Sequence, residues 1–279
     1  MELTVVLSSG IGLKLTDESR GGKEYPTARL CKGLILVHAG QEMDEEGVGF
    51  GVPVVKLGFR TIFSGEMSVQ MREMMSARDE IVAAFRMNLV ERLARSQQRS
   101  VDSRALYAAK NTLAGLYRRV PALRGSLTRL SNMLRLVFRL ETIYQEVGDF
   151  GQVLVTYTID RHAGVIEIAV DTTGLSGDGI SEVVVMNEQG ARWFDRYRDS
   201  TGAYLQGEGI GSWDEVEAKK ASFICSRCGL AFTVEQVPGV RLLRGRELIG
   251  SRLAWAGFGY SFHPRLQHIA YRLLIEKVA

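Results

Sequence analysis

Cysteine is scarce in this chain, with three in 279 residues. An odd and small number builds no disulfide framework and suits a reducing cytoplasm. Only five prolines are present, which excludes a collagen-like chain or a proline-rich spacer. No apolar run reaches the ~18 residues a membrane-spanning helix needs; Leu127 to Phe138 comes nearest and is broken by Arg129 and Arg135. The first residues, Met1 to Leu7, carry an acid where an export signal needs positive charge, and their apolar run stops at Ser8-Ser9-Gly10, so no secretory leader is expected. Net charge is only +3, too small over this length to announce a nucleic-acid or membrane binder.

What is present is ample core material and much glycine. Hydrophobic residues make up 46% and charged ones 24%, the balance of a folded globular protein. Thirty glycines exceed the usual ~7% and supply the positive-φ turns that many short strands require. From Glu2 to about Ser76, apolar segments such as Gly33 to His38 and Val52 to Leu57 alternate with glycine-rich or charged turns and read as strands. Ile81, Ala83, Phe85, Met87 and Leu89 alternate as a strand does, although Val82, Phe85, Leu89 and Leu93 also fit a helix; the strand is preferred.

Between about 103 and 146 the period changes. Leu106, Leu113, Leu116 and Tyr117 make one stripe, and Leu127, Leu130, Leu134, Val137, Phe138 and Glu141 a second, which predicts two amphipathic helices. Pro121 would end the first and Gly125-Ser126 would cap the second. Two-residue alternation returns in Val153 to Ile159 and Ile166 to Val170, joined by Asp160 to Gly164, a β-hairpin. Further strands are expected at Glu182 to Met186, Ala221 to Cys225, Leu230 to Val237, Leu253 to Phe262 and Ile269 to Glu276, the last two as sheet neighbours. The pattern predicts a mainly β fold: a large antiparallel β-sandwich, one domain over 1–279, with an inserted helical hairpin at about 103–146.

Several constellations could carry chemistry. Residues 92 to 139 hold eleven Lys or Arg and a single acid, Asp102, or +10, which leaves −7 for the rest of the chain. Arg118, Arg119, Arg124, Arg129, Arg135 and Arg139 could hold a polyanion, or the basic face could be solvated or docked on the acidic remainder. Cys225-Ser226-Arg227-Cys228-Gly229 has the spacing of half a zinc knuckle, but a hairpin turn is the simpler reading, with redox chemistry a third. Gln41 to Gly51 sets Glu42, Asp44, Glu45 and Glu46 before a glycine-rich bend without the lysine of a phosphate loop. Met186 to Tyr197 mixes amide, carboxylate, guanidinium and aromatic groups, which suits sugars because their C–H faces pack on rings while their hydroxyls need polar partners. Trp193, Tyr197, Tyr204, Trp213 and Trp255 are candidate platforms against a competing role in the core. His38, at the end of a strand near the acidic loop, is a candidate proton carrier.

With its closing strands LAWAGFGYSF and HIAYRLLIEK, the layout resembles the β-supersandwich of galactose-mutarotase-like proteins and the sandwich domains of some polysaccharide lyases and glycosidases. That resemblance implies a carbohydrate ligand, with a His and a carboxylate as acid and base. The expectation is therefore a cytoplasmic carbohydrate-binding or carbohydrate-processing protein. Its candidate catalytic groups are His38, Glu188 and Asp195, and its candidate ligand-binding groups are Glu45, Glu46, Trp193, Tyr197 and Trp255. The alternative is an interaction module that engages a polyanion or an acidic partner through the arginine-bearing segment. No cofactor, metal or membrane contact is assigned.

Overall fold

A computed structural model describes residues 2–17, 30–58, 60–74, 77–95, 99–100, 140–177, 179–249 and 253–278. Along the chain the first strands are β1 (Glu2–Val6), β2 (Gly12–Thr16), β3 (Ile35–His38) and β4 (Gln41–Glu42), followed by β5 (Gly49–Leu57), β6 (Arg60–Met74), β7 (Arg78–Arg95) and β8 (Arg99–Ser100). Next come β9 (Leu140–Glu146), β10 (Gln152–Asp160), β11 (Val165–Asp171), β12 (Ile180–Gln189), β13 (Arg196–Asp199) and β14 (Tyr204–Gln206). A 3-10 turn, Gly207–Ile210, precedes β15 (Asp214–Glu215), β16 (Lys220–Cys225), β17 (Leu230–Glu235), β18 (Arg241–Ile249), β19 (Leu253–Phe262) and β20 (His268–Lys277). Among the described residues there is no α-helix. Within the span expected to be helical, 103–139 lie outside the described residues. Residues 140–146 are corrected to a strand: β9 pairs antiparallel with β7 from Leu89↔Glu146 to Arg95↔Leu140, and Tyr144 stands edge-on to Phe63 of β6.

The strand reading of 81–93 holds. Ile81, Ala83, Phe85, Met87 and Leu89 are at most 1% exposed, so the period of two wins where both periods fitted. β1 to β4 form a small antiparallel sheet, and the remaining strands form one long sheet in the order β14-β13-β16-β17-β20-β11-β10-β7-β6-β5-β12-β19-β18-β15, with β8 and β9 each paired to β7 off that path. That sheet folds on itself. Phe50 of β5 meets Phe232 of β17 edge-on at 5.2 Å, Phe223 of β16 meets Phe258 of β19 at 4.8 Å, and Tyr260 of β19 lies 4.1 Å from Tyr271 of β20. The arm from β13 to β10 therefore faces the arm from β5 to β18, as the two layers of a sandwich-like fold. The expected pairing of β19 with β20 is corrected: β19 bonds to β12 and β18, β20 to β11 and β17, and they meet face to face across the core. Each strand needed a partner for its apolar face, and the facing layer supplied it.

The small sheet joins the same core through Val5, Leu13, Leu15 and Leu36, and Met43, just past β4, joins it too. At the far edges the 3-10 turn bridges the two arms, because Arg244 Nε donates to the Ile210 carbonyl and the Arg246 amide to that of Gly211. The Arg246 guanidinium reaches back to the Phe194 and Ala191 carbonyls, at 3.1 and 2.8 Å.

Candidate functional site

The end of β12 is unusually polar for a central strand: Asn187, Glu188 and Gln189 are all buried. Alternation sends Asn187 and Gln189 to one face and Glu188 to the other. Asn187 Oδ1 accepts from the Gly51 amide and from the Tyr271 hydroxyl, and Gln189 bonds both the Leu36 amide and the Leu34 carbonyl. These two amides serve the fold: Asn187 fills the ladder position where β5 carries a bulge, and Gln189 ties β12 to Leu34 and Leu36 at the start of β3.

Glu188 is placed differently. The residue is 4% exposed, and its carboxyl accepts from the Val48 amide at 3.3 Å. Burial pushes its pKa up to about 7; the Val48 bond and Lys32 oppose that rise, and the charge of Glu247 adds to it. Across the ladder Glu188 stands opposite Gly257 of β19 and Gly257 opposite Gly245 of β18, while Trp255 stands opposite Glu247. Glu188, Trp255 and Glu247 thus share the outer face of three adjacent strands. Trp213 stacks on Trp255 with centroids 4.8 Å apart and planes 18° apart. The glycines make room for the rings, since a Cβ at Gly245 would lie 2.7 Å from the Trp255 ring and one at Gly259 would lie 2.9 Å from that of Trp213. Ser212 donates to Glu247 at 2.7 Å.

The acidic loop borders this face. Asp44 is buried and ion-paired with Lys32 at 2.8 Å. Glu45, at φ 46°, accepts from the Arg192 amide, with the Arg192 guanidinium 3.6 Å away. Glu46 is exposed. Burial, then the charges of Glu91, Glu188 and Glu46, push the Tyr144 phenol upward. Trp193 is half-buried against the core.

The other sequence candidates have partners of their own or none shared with Glu188. Asp195 spends its oxygens on the Ser226 amide and hydroxyl, at 3.0 and 2.6 Å; burial works against its charge, but the Ser226 bonds hold its carboxyl below the usual range. Tyr197 is fully buried, with Arg244 4.7 Å above its ring and its hydroxyl on Asp199. His38 ends β3 opposite Gln41, and among the described residues no hydrogen bond links it to Glu45, Glu46 or Glu188. Arg118, Arg119, Arg124, Arg129 and Arg135 lie outside the described residues. Cys225 and Cys228 meet in one turn, and no group of three His, Cys, Asp or Glu suited to a metal occurs among the described residues.

Sequence reasoning missed Lys32, Tyr144 and Glu247, which come from three distant segments with no motif between them. It also missed a cleft of about 390 Å³ lined by Ser181, Glu182, Gly239, Arg241, Ser261, Phe262 and His263. Glu182 dominates that cleft, accepting from Ser261 and paired with Arg241 at 2.6 Å and Lys56 at 3.0 Å. Its charges are matched internally.

No protein-family model matches the chain, and no curated protein matches it. Among solved structures it is similar to the alpha-N-acetylgalactosaminidase NagBb from Bifidobacterium bifidum. Against the GalNAc complex of that enzyme the identity is 11% and the TM-score 0.50, over 99% of this chain and 36% of the other. Against its Gal-NHAc-DNJ complex the values are 10% and 0.51 over the same shares. The chain thus spans about a third of that enzyme's length, and at such identity the likeness is one of fold: a β-sandwich-like architecture. Among the described residues no helix is long and apolar enough to cross a membrane.

Proposed function

We propose that this is a carbohydrate-binding or carbohydrate-processing protein whose ligand lies on the outer face of β12, β19 and β18. The observation that carries the reading is the Trp213 and Trp255 stack on the same face as Glu188 and Glu247. A sugar needs an apolar platform for its C–H face and carboxylates for its hydroxyl rim. Glu188, held near neutrality by burial, has the protonation behaviour a general acid requires. Glu45, Glu46 and Trp193 form the proposed rim. Asp195 and Tyr197 are left to structural roles, because they spend their polar atoms on the fold, and His38, at the end of β3, is not included in the proposed site. The fold likeness to a structure with bound GalNAc makes that sugar the first probe. With three free cysteines, a reducing cytoplasm is the proposed setting.

Calorimetric titration with GalNAc and with oligosaccharides that carry it tests the reading. The expected outcome is saturable binding that Trp213→Ala weakens by about tenfold, the order of one lost ring contact, while Tyr204→Ala, at an exposed ring elsewhere on the surface, leaves it unchanged. Binding indifferent to Trp213→Ala and to Glu188→Gln would remove this face as the site.

A further inference from the structure

Cys225 closes β16 and Cys228 lies in the turn Ser226–Gly229 that leads into β17. Their sulfurs are 2.7 Å apart, well inside ordinary nonbonded contact and within about 0.7 Å of a disulfide bond length. The turn that brings them together is tightly held. The Gly229 amide donates to the Cys225 carbonyl, Gly229 adopts φ 60°, and Asp195 receives the amide and hydroxyl of Ser226. Only glycine fits the fourth turn position comfortably, since a Cβ there would also lie 2.8 Å from the Val278 carbonyl. Cys225 is fully buried and Cys228 half-buried, so a reagent from solvent reaches Cys228 first.

We propose that Cys225 and Cys228 form a reversible redox site that exchanges with small-molecule disulfides. Cys228, as its thiolate, attacks the external disulfide, forming a mixed disulfide and releasing one small thiolate. Cys225 gives up its proton and attacks the Cys228 sulfur, which closes the internal bond and expels the second small thiolate. Two protein thiols are oxidised, one external disulfide is reduced to two thiols, and the electrons balance. The site is independent of the saccharide reading. Its loop is too short for the bond to contribute much chain-entropy stabilisation, and the β16–β17 ladder, from Lys220↔Glu235 to Cys225↔Leu230, already fixes the hairpin. A bond that adds little to stability in an already formed turn serves as a switchable modification, not as a staple.

Burial and the neighbouring Cys225 thiol push the Cys228 thiol up to about 12, so little thiolate exists at neutral pH and exchange should quicken about tenfold per pH unit. Cys31 is a buried spectator, 2% exposed, and is removed in the test as Cys31→Ala. The full chain is equilibrated with mixtures of reduced and oxidised glutathione, quenched in acid, alkylated and weighed intact. The expected result is a species lighter by two hydrogens and closed to alkylation, mapped to the Cys225–Cys228 peptide and restored by reductant. Cys225→Ser should instead accumulate one glutathione adduct at Cys228. Two thiols that remain open to alkylation at every glutathione ratio, in a chain whose circular dichroism is that of the folded protein, would overturn the proposal. So would one zinc ion per chain released from the purified protein by Cys228→Ser.

Discussion

Glu188 shows how one residue's environment sets its chemistry. Its ordinary value is 4.5 and its folded value about 7. Below pH ~4.5 both folded and unfolded chains carry the proton and the group is neutral to stability. As pH rises the unfolded chain releases its proton first, so the folded state loses stability progressively up to pH ~7 and the penalty is complete above that. The shift corresponds to about 3 kcal/mol. Glu188→Gln keeps an acceptor for the Val48 amide and removes the titration. Urea unfolding at several pH values should therefore show wild type and variant alike near pH 4 and the variant more stable by about 2–3 kcal/mol at pH 8. Equal pH dependence in the two proteins would mean that the carboxyl is not desolvated. Gly51 gives a steric counterpart. At φ 78°, with a Cβ placed 2.7 Å from the Tyr157 ring, Gly51→Ala should cost about 2–4 kcal/mol in the same assay, from left-handed strain together with overpacking. Glu188 was legible in the sequence as a candidate because a carboxylate followed an apolar strand. Its partners were not, since Lys32, Tyr144 and Glu247 reach it from separate segments that only the folded chain brings together, which residue type does not encode.

At the scale of elements, period and local hairpin pairing were readable and the pairing of distant strands was not. Val153 to Ile159 and Ile166 to Val170 emerged as the hairpin β10–β11, in register from Leu154↔Asp171 to Asp160↔Val165. The penultimate strand was placed to the residue, at Leu253–Phe262. Yet β19 and β20 face each other across the core, because alternation tells which side of a strand is apolar and leaves open whether that side meets a neighbour or an opposite layer. β18, RLLRGRELI, escaped notice because Arg244, Arg246 and Glu247 break its alternation; those charges are accommodated by bonds to Ile210, Ala191, Phe194 and Ser212. The link between layers that most invites testing is Asn187. Asn187→Ala leaves the Gly51 amide and the Tyr271 hydroxyl without their acceptor, an expected loss of about 2–4 kcal/mol. Adding Tyr271→Phe removes one orphaned donor, so the double variant should be less destabilised than the sum of the singles, by about 1 kcal/mol or more in a denaturant cycle. Strict additivity would show that the amide and the phenol act separately.

For the whole molecule the decisive feature is where the first third of the chain lies in the long sheet. β5, β6 and β7 occupy its middle, flanked by β10 on one side and β12 on the other, both from the later part of the chain. β7 pairs with β10 from Arg78↔Asp160 to Arg86↔Gln152, and β5 with β12 from Leu57↔Ile180 to Gly49↔Glu188. Remove those three strands and the two arms lose the hinge that turns one over the other, exposing two long unpaired edges, on β10 and β12. In the proposed reading the chain is therefore one domain, and the outer face that bears Glu188 exists only when both parts are present, because Val48 and Lys32 come from one and Trp255 and Glu247 from the other. A chain expressed as two pieces, 1–100 and 101–279, should co-purify as one complex with a β-rich circular dichroism spectrum and a single cooperative melt, and neither piece alone should melt cooperatively. If the later piece folds alone with the Trp213 and Trp255 fluorescence of the intact protein, the layers close without their central strands, and the single-domain reading falls with the hinge.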